Sequence, residues 1–239
     1  MKHAALLALS LTVASVGPTT TEQTEVFVLA SIGSLHEKVE GFRYRALDEV
    51  IRAIRPDVMV LEVTPEELVE RRDTKGRPEY PNVVWPMLAK PGAPRAYAME
   101  AGQPLYAELT SGGERIWSEF SRQRPDVNAA LTAYTAAVTN VLLQHWKTAA
   151  DTQDDITDLH ARARYRLVSS LFPSGQAFQD RWDQVMLEVV RRAIAENPGK
   201  RVIVLGTHRN RFMFVDMLRN LSGTTVVDMN RWLRTNGFG

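Results

Sequence analysis

The chain has 239 residues, 44% of them hydrophobic and 24% charged, which excludes a disordered, collagen-like or multi-span membrane protein. Lysine and arginine number 29 against 28 aspartates and glutamates, so a net charge of +1 provides no global field for gathering nucleic acid. There is no cysteine, so disulfides, thiolate metal sites and cysteine nucleophiles are excluded, and a metal would have to bind through His, Asp, Glu, backbone or water.

The first 17 residues place Lys2 before an uncharged run from Ala4 to Val13, followed by small residues at Val13-Ala14-Ser15. This pattern reads as a secretory signal over residues 1–15, with a polar linker over 16–24. The run is shorter than the roughly 20 apolar residues of a spanning helix, so the expectation is a periplasmic or secreted protein without a stable membrane anchor. A single α/β domain is expected over residues 25–239.

Glu25 to Ile32 is an apolar, β-rich run closed by Gly33-Ser34, the pattern of a buried strand and its exit turn. From Phe42 to Ile54 the apolar residues Phe42, Ala46, Val50, Ile51 and Ile54 recur at helical spacing before Arg55-Pro56. A second strand follows over Val58 to Val63, and Thr64-Pro65-Glu66-Glu67 supplies a helix cap and first turn. Strand, helix and strand in so few residues predict a βαβ unit with parallel strands.

Asp73 to Pro94 carries Pro78, Pro81, Pro86, Pro91 and Pro94, a density that predicts a long loop or lid. Helical spacing then dominates from Gly113 to Leu171 and again from Phe178 to Ala195, so a helical insertion is expected over about residues 95–175. Arg201 to Leu205 reads as another buried strand, Gly206-Thr207-His208 as its exit turn, Arg211 to Leu221 as a helix and Thr224 to Val227 as a further strand. The expected fold is therefore α/β, with a mostly parallel central sheet flanked by helices and a helical insertion in the middle of the chain.

In a parallel sheet the ends of these strands face one crevice, where His36, Glu62 and His208 would meet. Glu62 shares a face with Val58 and Val60, so its charge must be paired, bound to metal or opened to a cleft. Two histidines and a carboxylate are the ligand types of a catalytic divalent-metal site for manganese, cobalt or zinc. Without metal, a histidine held by glutamate can act as a general base on water. A third use of the crevice is to bind haem or another small ligand, with histidine or one of Tyr44, Tyr97 and Tyr106 as axial group. Arg43 and Arg209, near the strand exits, are candidates for substrate binding, and Arg211 could serve likewise or pair with Asp216.

The motifs Gly33-Ser34-Leu35-His36 and Arg55-Pro56-Asp57 through Glu62 resemble those of the TraB/TIKI and erythromycin-esterase/ChaN-like superfamily. The run Arg181-Trp182-Asp183-Gln184-Val185-Met186 resembles a loosened form of that superfamily's R-D-x-x-M helix, and Gly206-Thr207-His208 a shortened G-x-x-H turn. The resemblance covers residues 25–70 and 178–228. It implies an α/β scaffold carrying a hydrolase, metal-dependent or metal-free, that cleaves an amide or ester in a peptide or small molecule. The same resemblance also admits a haem-binding protein.

Overall fold

A computed structural model describes residues 23–72 and 76–239. The expected signal over 1–15 lies outside them, as does the linker up to residue 22. Thr24, assigned to that linker from sequence, is instead the first residue of a strand and is buried.

Five parallel strands form one sheet in the order β3-β2-β4-β1-β5, comprising β1 (Thr24–Ser31), β2 (Val58–Leu61), β3 (Arg95–Ala98), β4 (Arg201–Thr207) and β5 (Thr224–Val226). The fold is α/β, as the sequence predicts. The first two strands are parallel but not neighbours, because β4 lies between them: Val28 and Val60 both pair with Val204. Successive side chains point to opposite faces of a strand, which divides the sheet residues into two cores. Phe27, Leu29, Met59, Leu61, Ile203 and Leu205 pack on one face against α1 (Tyr44–Ile54) and α9 (Met229–Thr235). Val26, Val28, Val58, Val60, Val202 and Val204 pack on the other against α7 (Pro173–Ala195) and α8 (Arg211–Arg219).

The helix α1 buries Leu47, Val50, Ile51 and Ile54 and ends where Arg55 takes a left-handed conformation before Pro56. Thr64 caps α2 (Pro65–Glu70) reciprocally with Glu67, as its sequence signature predicts.

Two expectations for the middle of the chain are corrected. The proline-dense segment is not a lid: it folds into a π turn (Tyr80–Val84) and α3 (Trp85–Leu88), with Tyr80, Val83, Val84 and Trp85 in the core. Pro81 and Pro86 fall in first-turn positions, where a helix does not need the missing N–H. The insertion also begins later than residue 95, because Arg95–Ala98 pairs with β2 as the edge strand. The inserted helices are α4 (Leu105–Gln123), α5 (Pro125–His145) and α6 (Asp155–Leu171), and they roof the carboxyl edge of the sheet together with the first half of α7. Phe120, Leu131 and Phe172 form a small separate core among them, with Phe120 and Phe172 stacked at 4.2 Å. Among the described residues no helix is long and apolar enough to cross a membrane.

Candidate functional site

A cavity of about 810 Å3 lies between the carboxyl ends of β1, β2 and β4 and the helical roof. This is the crevice that a parallel sheet offers a ligand. Glu62 and His208 line it, as do Arg77, Glu100, Arg164, Asp183 and Arg209; Trp117, Trp146, Phe172 and Trp182 give it an aromatic wall.

Glu62 directly follows β2, where Leu61 pairs with Leu205, so its side chain lies beside Gly206. Its Oε2 accepts the Thr207 N–H at 2.6 Å. Its Oε1 lies 3.1 Å from the Arg77 guanidinium, and Arg77 also donates to the Glu62 carbonyl oxygen. Pairing and access to a cleft thus together satisfy the charge. Gly206 makes room for this arrangement, since a Cβ there would stand 3.1 Å from Glu62 Oε2 and 3.3 Å from the Phe214 ring.

Arg77 holds a second carboxylate, Glu100, at 2.6 Å. Glu100 lies two residues beyond β3, and only 4% of it is exposed. Burial pushes its carboxyl up to about 7 against the attraction of Arg77, so it exchanges protons near neutrality. Burial alone would lower the Arg77 pKa, but the two carboxylates outweigh it and keep the guanidinium charged. Across the cavity, burial lifts Asp183 of α7 to about 6 even though Gln179 donates to it at 2.7 Å.

His208 follows β4, donates its backbone N–H to the Ser31 carbonyl at 2.9 Å and sets its ring edge-on to Trp146 at 5.2 Å. Its Nδ1 is buried without a hydrogen-bond partner. Burial, and next the adjacent Arg209, lower its pKa to about 4, leaving a neutral imidazole. Arg209 is exposed at the cavity wall.

His36 does not join this group. It lies fully buried in a 3-10 turn (Gly33–Glu37) that leaves β1 through Gly33, whose positive φ of 58° favours glycine. Its Nδ1 donates to the Phe42 carbonyl at 2.5 Å, and its Nε2 accepts the Ile32 N–H at 3.3 Å and faces Ser31 Oγ at 3.1 Å. Burial lowers its pKa to about 4 despite the bond to Phe42. Both nitrogens are committed to the protein, so the assignment of His36 as a metal ligand or base at the crevice is corrected to a positioning role behind Ser31.

Ser31 and His36 have the separation of a nucleophile and its base. Ser31 is only 1% exposed, however, and its hydroxyl also bonds Glu79 Oε1 at 2.7 Å. The buried chain Glu79–Ser31–His36 therefore shapes the floor of the cavity.

Arg43 is corrected as well: it is the exposed residue before α1 and does not reach the cavity. Arg211 is paired with Asp158, and Asp216 with Arg162. None of the three tyrosines considered as haem ligands lines the cavity; Tyr44 packs on His36, Tyr97 bonds Glu196 and Tyr106 packs on Trp182. Among the described residues no three His, Asp or Glu side chains converge as a metal-binding group.

Arg77, Glu79, Glu100 and Arg164 were not singled out from the sequence. Asp183 belongs to the run Arg181 to Met186 that resembles the R-D-x-x-M helix. A carboxylate immediately after an apolar strand is the signal at Glu62; Glu100 stands one residue further from its strand, beyond Met99, and Arg-Ala-Tyr-Ala is a weak strand sequence, so it carries no such signal. The chain matches no family model, no curated protein and no solved structure.

Proposed function

We propose that this chain is a hydrolase that cleaves an ester or amide bond of a small molecule or peptide in the cavity, using acid–base chemistry of its own side chains. The observation that carries this reading is Glu100: a buried carboxyl on the cavity wall, poised near pH 7 and bridged by Arg77 to Glu62. In this reading the acid form of Glu100 delivers a proton to the leaving group. His208, neutral and on the cavity wall, accepts a proton from the attacking water. Glu62, fixed by the Thr207 N–H and Arg77, positions both the water and the guanidinium. Arg209 binds substrate. Further support comes from the resemblance of the first two motifs to a superfamily that includes metal-free ester hydrolases, and export to the periplasm or beyond belongs to the same proposal.

The metal-dependent form of the reading fits these residues poorly, because His36 has no nitrogen to offer. The experiment is a screen of chromogenic esters and peptide amides with EDTA and, separately, with added manganese, cobalt or zinc. Turnover that survives EDTA and is lost in Glu100→Gln and His208→Ala is expected. Turnover only with metal would replace the mechanism, and none under any condition would overturn the reading.

A second reading, a haem-binding protein, is favoured by one observation: the aromatic wall that shares the cavity with His208. A Soret band on haem titration that shifts in His208→Ala would establish it, and an unchanged spectrum would remove it.

A further inference from the structure

Buried arginines in this protein are matched by carboxylates: Arg77 by Glu62 and Glu100, Arg211 by Asp158 at 2.5 Å. Arg164, half-buried, and Arg209, exposed, have no such partner. Both line the cavity, and among the described residues neither has a carboxylate within 4.0 Å or a side-chain hydrogen bond. The Arg164 Nε is buried without a partner. Burial, and next the charge of Arg209, lower the Arg164 pKa, so the two guanidinium groups repel across a partly desolvated wall. A half-buried guanidinium whose Nε has no partner, with a second cation on the same cavity wall, is a setting that an anion would satisfy.

Arg164 also stands where the main cavity meets a second hollow of about 480 Å3. Trp117, Thr139, Arg164 and Val168 line both, and the second hollow continues along Leu131 and Ala136. Beyond Arg164 its wall is apolar apart from hydroxyl and amide groups. Trp117, 39% exposed, contributes one face. A ligand that satisfies both features has a negative group and an apolar body.

We propose that the substrate is an organic anion whose charged group lies between Arg164 and Arg209 and whose apolar body lies along Trp117, Leu131 and Val168. This rests on reading the cavity as the active site of a hydrolase, but the binding it describes is measurable without turnover. Guanidinium groups suit a carboxylate because their fixed donors match its two oxygens.

The test is calorimetric titration of the whole protein with decanoate, with the uncharged decanamide and with inorganic phosphate. Wild type, Arg164→Gln and Arg209→Gln are compared after their unfolding midpoints are checked. Decanoate is expected to bind at least about tenfold more tightly than decanamide or phosphate, and each variant to lose about that factor for decanoate alone. Equal binding of decanoate and decanamide, equal binding of decanoate and phosphate, no decanoate binding, or unchanged decanoate affinity in both variants would overturn the proposal. Should a variant fail to fold, the wild type still decides: decanoate affinity must fall as salt rises from about 50 to about 500 mM, and a salt-independent affinity refutes the charge pairing. Selective decanoate binding without turnover of any ester would remove the hydrolase and leave the anion site; turnover without decanoate binding would do the reverse.

Discussion

Glu62 and Glu100 share one cation: the same terminal nitrogen of Arg77 lies 3.1 Å from Glu62 Oε1 and 2.6 Å from Glu100 Oε1. The arrangement ties the ends of β2 and β3 to the segment that follows α2, so the charge cluster is a structural joint as well as a wall of the cavity. Arg77→Gln would leave two buried carboxylates without their cation. We expect a loss of about 3 kcal/mol at pH 8, the scale of breaking a buried pair from one side. The loss shrinks toward pH 5 because Glu100 then takes up a proton. Urea unfolding of both proteins at the two pH values checks this; an equal loss at both would show that Glu100 does not change its protonation between them.

Glu100 also predicts the sign of a pH dependence. Its ordinary carboxyl pKa is 4.5 and its folded value is about 7, so between these values the folded chain holds a proton that the unfolded chain has released. The burden of Glu100 on stability is absent below pH 4.5, grows as the pH rises through that window and is complete above 7. Its full size is on the order of 3 kcal/mol. Glu100→Gln, which stays neutral, is therefore expected to gain stability relative to wild type from pH 4 to pH 8. A constant difference across denaturation curves in that range would rule this out.

Asp158 and Arg211 form the corresponding joint between α6 and α8, 2.5 Å apart, with Asp158 Oδ1 and Arg211 Nε left without partners. Asp158→Asn removes the charge from one side only and is expected to cost about 3 kcal/mol, whereas Asp158→Leu combined with Arg211→Met is expected to recover most of that loss. A double-mutant cycle measured by chemical unfolding gives the coupling, and additive losses would show the pair to be energetically independent.

The strands were legible in the sequence because β1, β2 and β4 are buried on both faces and read as continuous apolar runs bounded by glycine or proline. Thr24–Ser31, Val58–Leu61 and Arg201–Thr207 overlap those runs with their ends shifted by one or two residues, since Thr24, Gly206 and Thr207 lie within strands and Ile32, Glu62 and Val63 do not. Glu62 stood out because a lone carboxylate in such a run requires an explanation. The rest of the site was hidden for two physical reasons. Arg95–Ala98 is an edge strand of four residues without a β-branched side chain, so the nearness of Glu100 to Glu62 is invisible until β3 pairs with β2. Arg77 and Arg164 come from segments remote in sequence, and only tertiary packing decides that one finds two carboxylates and the other none. His36 was misplaced for the opposite reason: residue type and a strand exit suggested a ligand, but the 3-10 turn folds the ring inward.

His36 offers the sharpest separation of structure from chemistry. His36→Ala would empty a buried site and strand the Ile32 N–H and the Phe42 carbonyl, at an expected cost of about 3 kcal/mol. It would also remove one source of acid instability. The ordinary His pKa is 6.5 and the folded value about 4, so as pH falls from 6.5 to 4 the unfolded chain gains a proton that the folded chain refuses, and stability drops. The variant is therefore expected to be less stable than wild type at pH 7, yet to lose stability less steeply than wild type between pH 6.5 and 4, where His208 adds to the acid loss and Glu100 and Asp183 oppose it. Thermal or urea unfolding across that range measures both quantities. A His36→Ala protein as stable as wild type, with an unchanged acid slope and abolished turnover, would return His36 to the chemistry of the site.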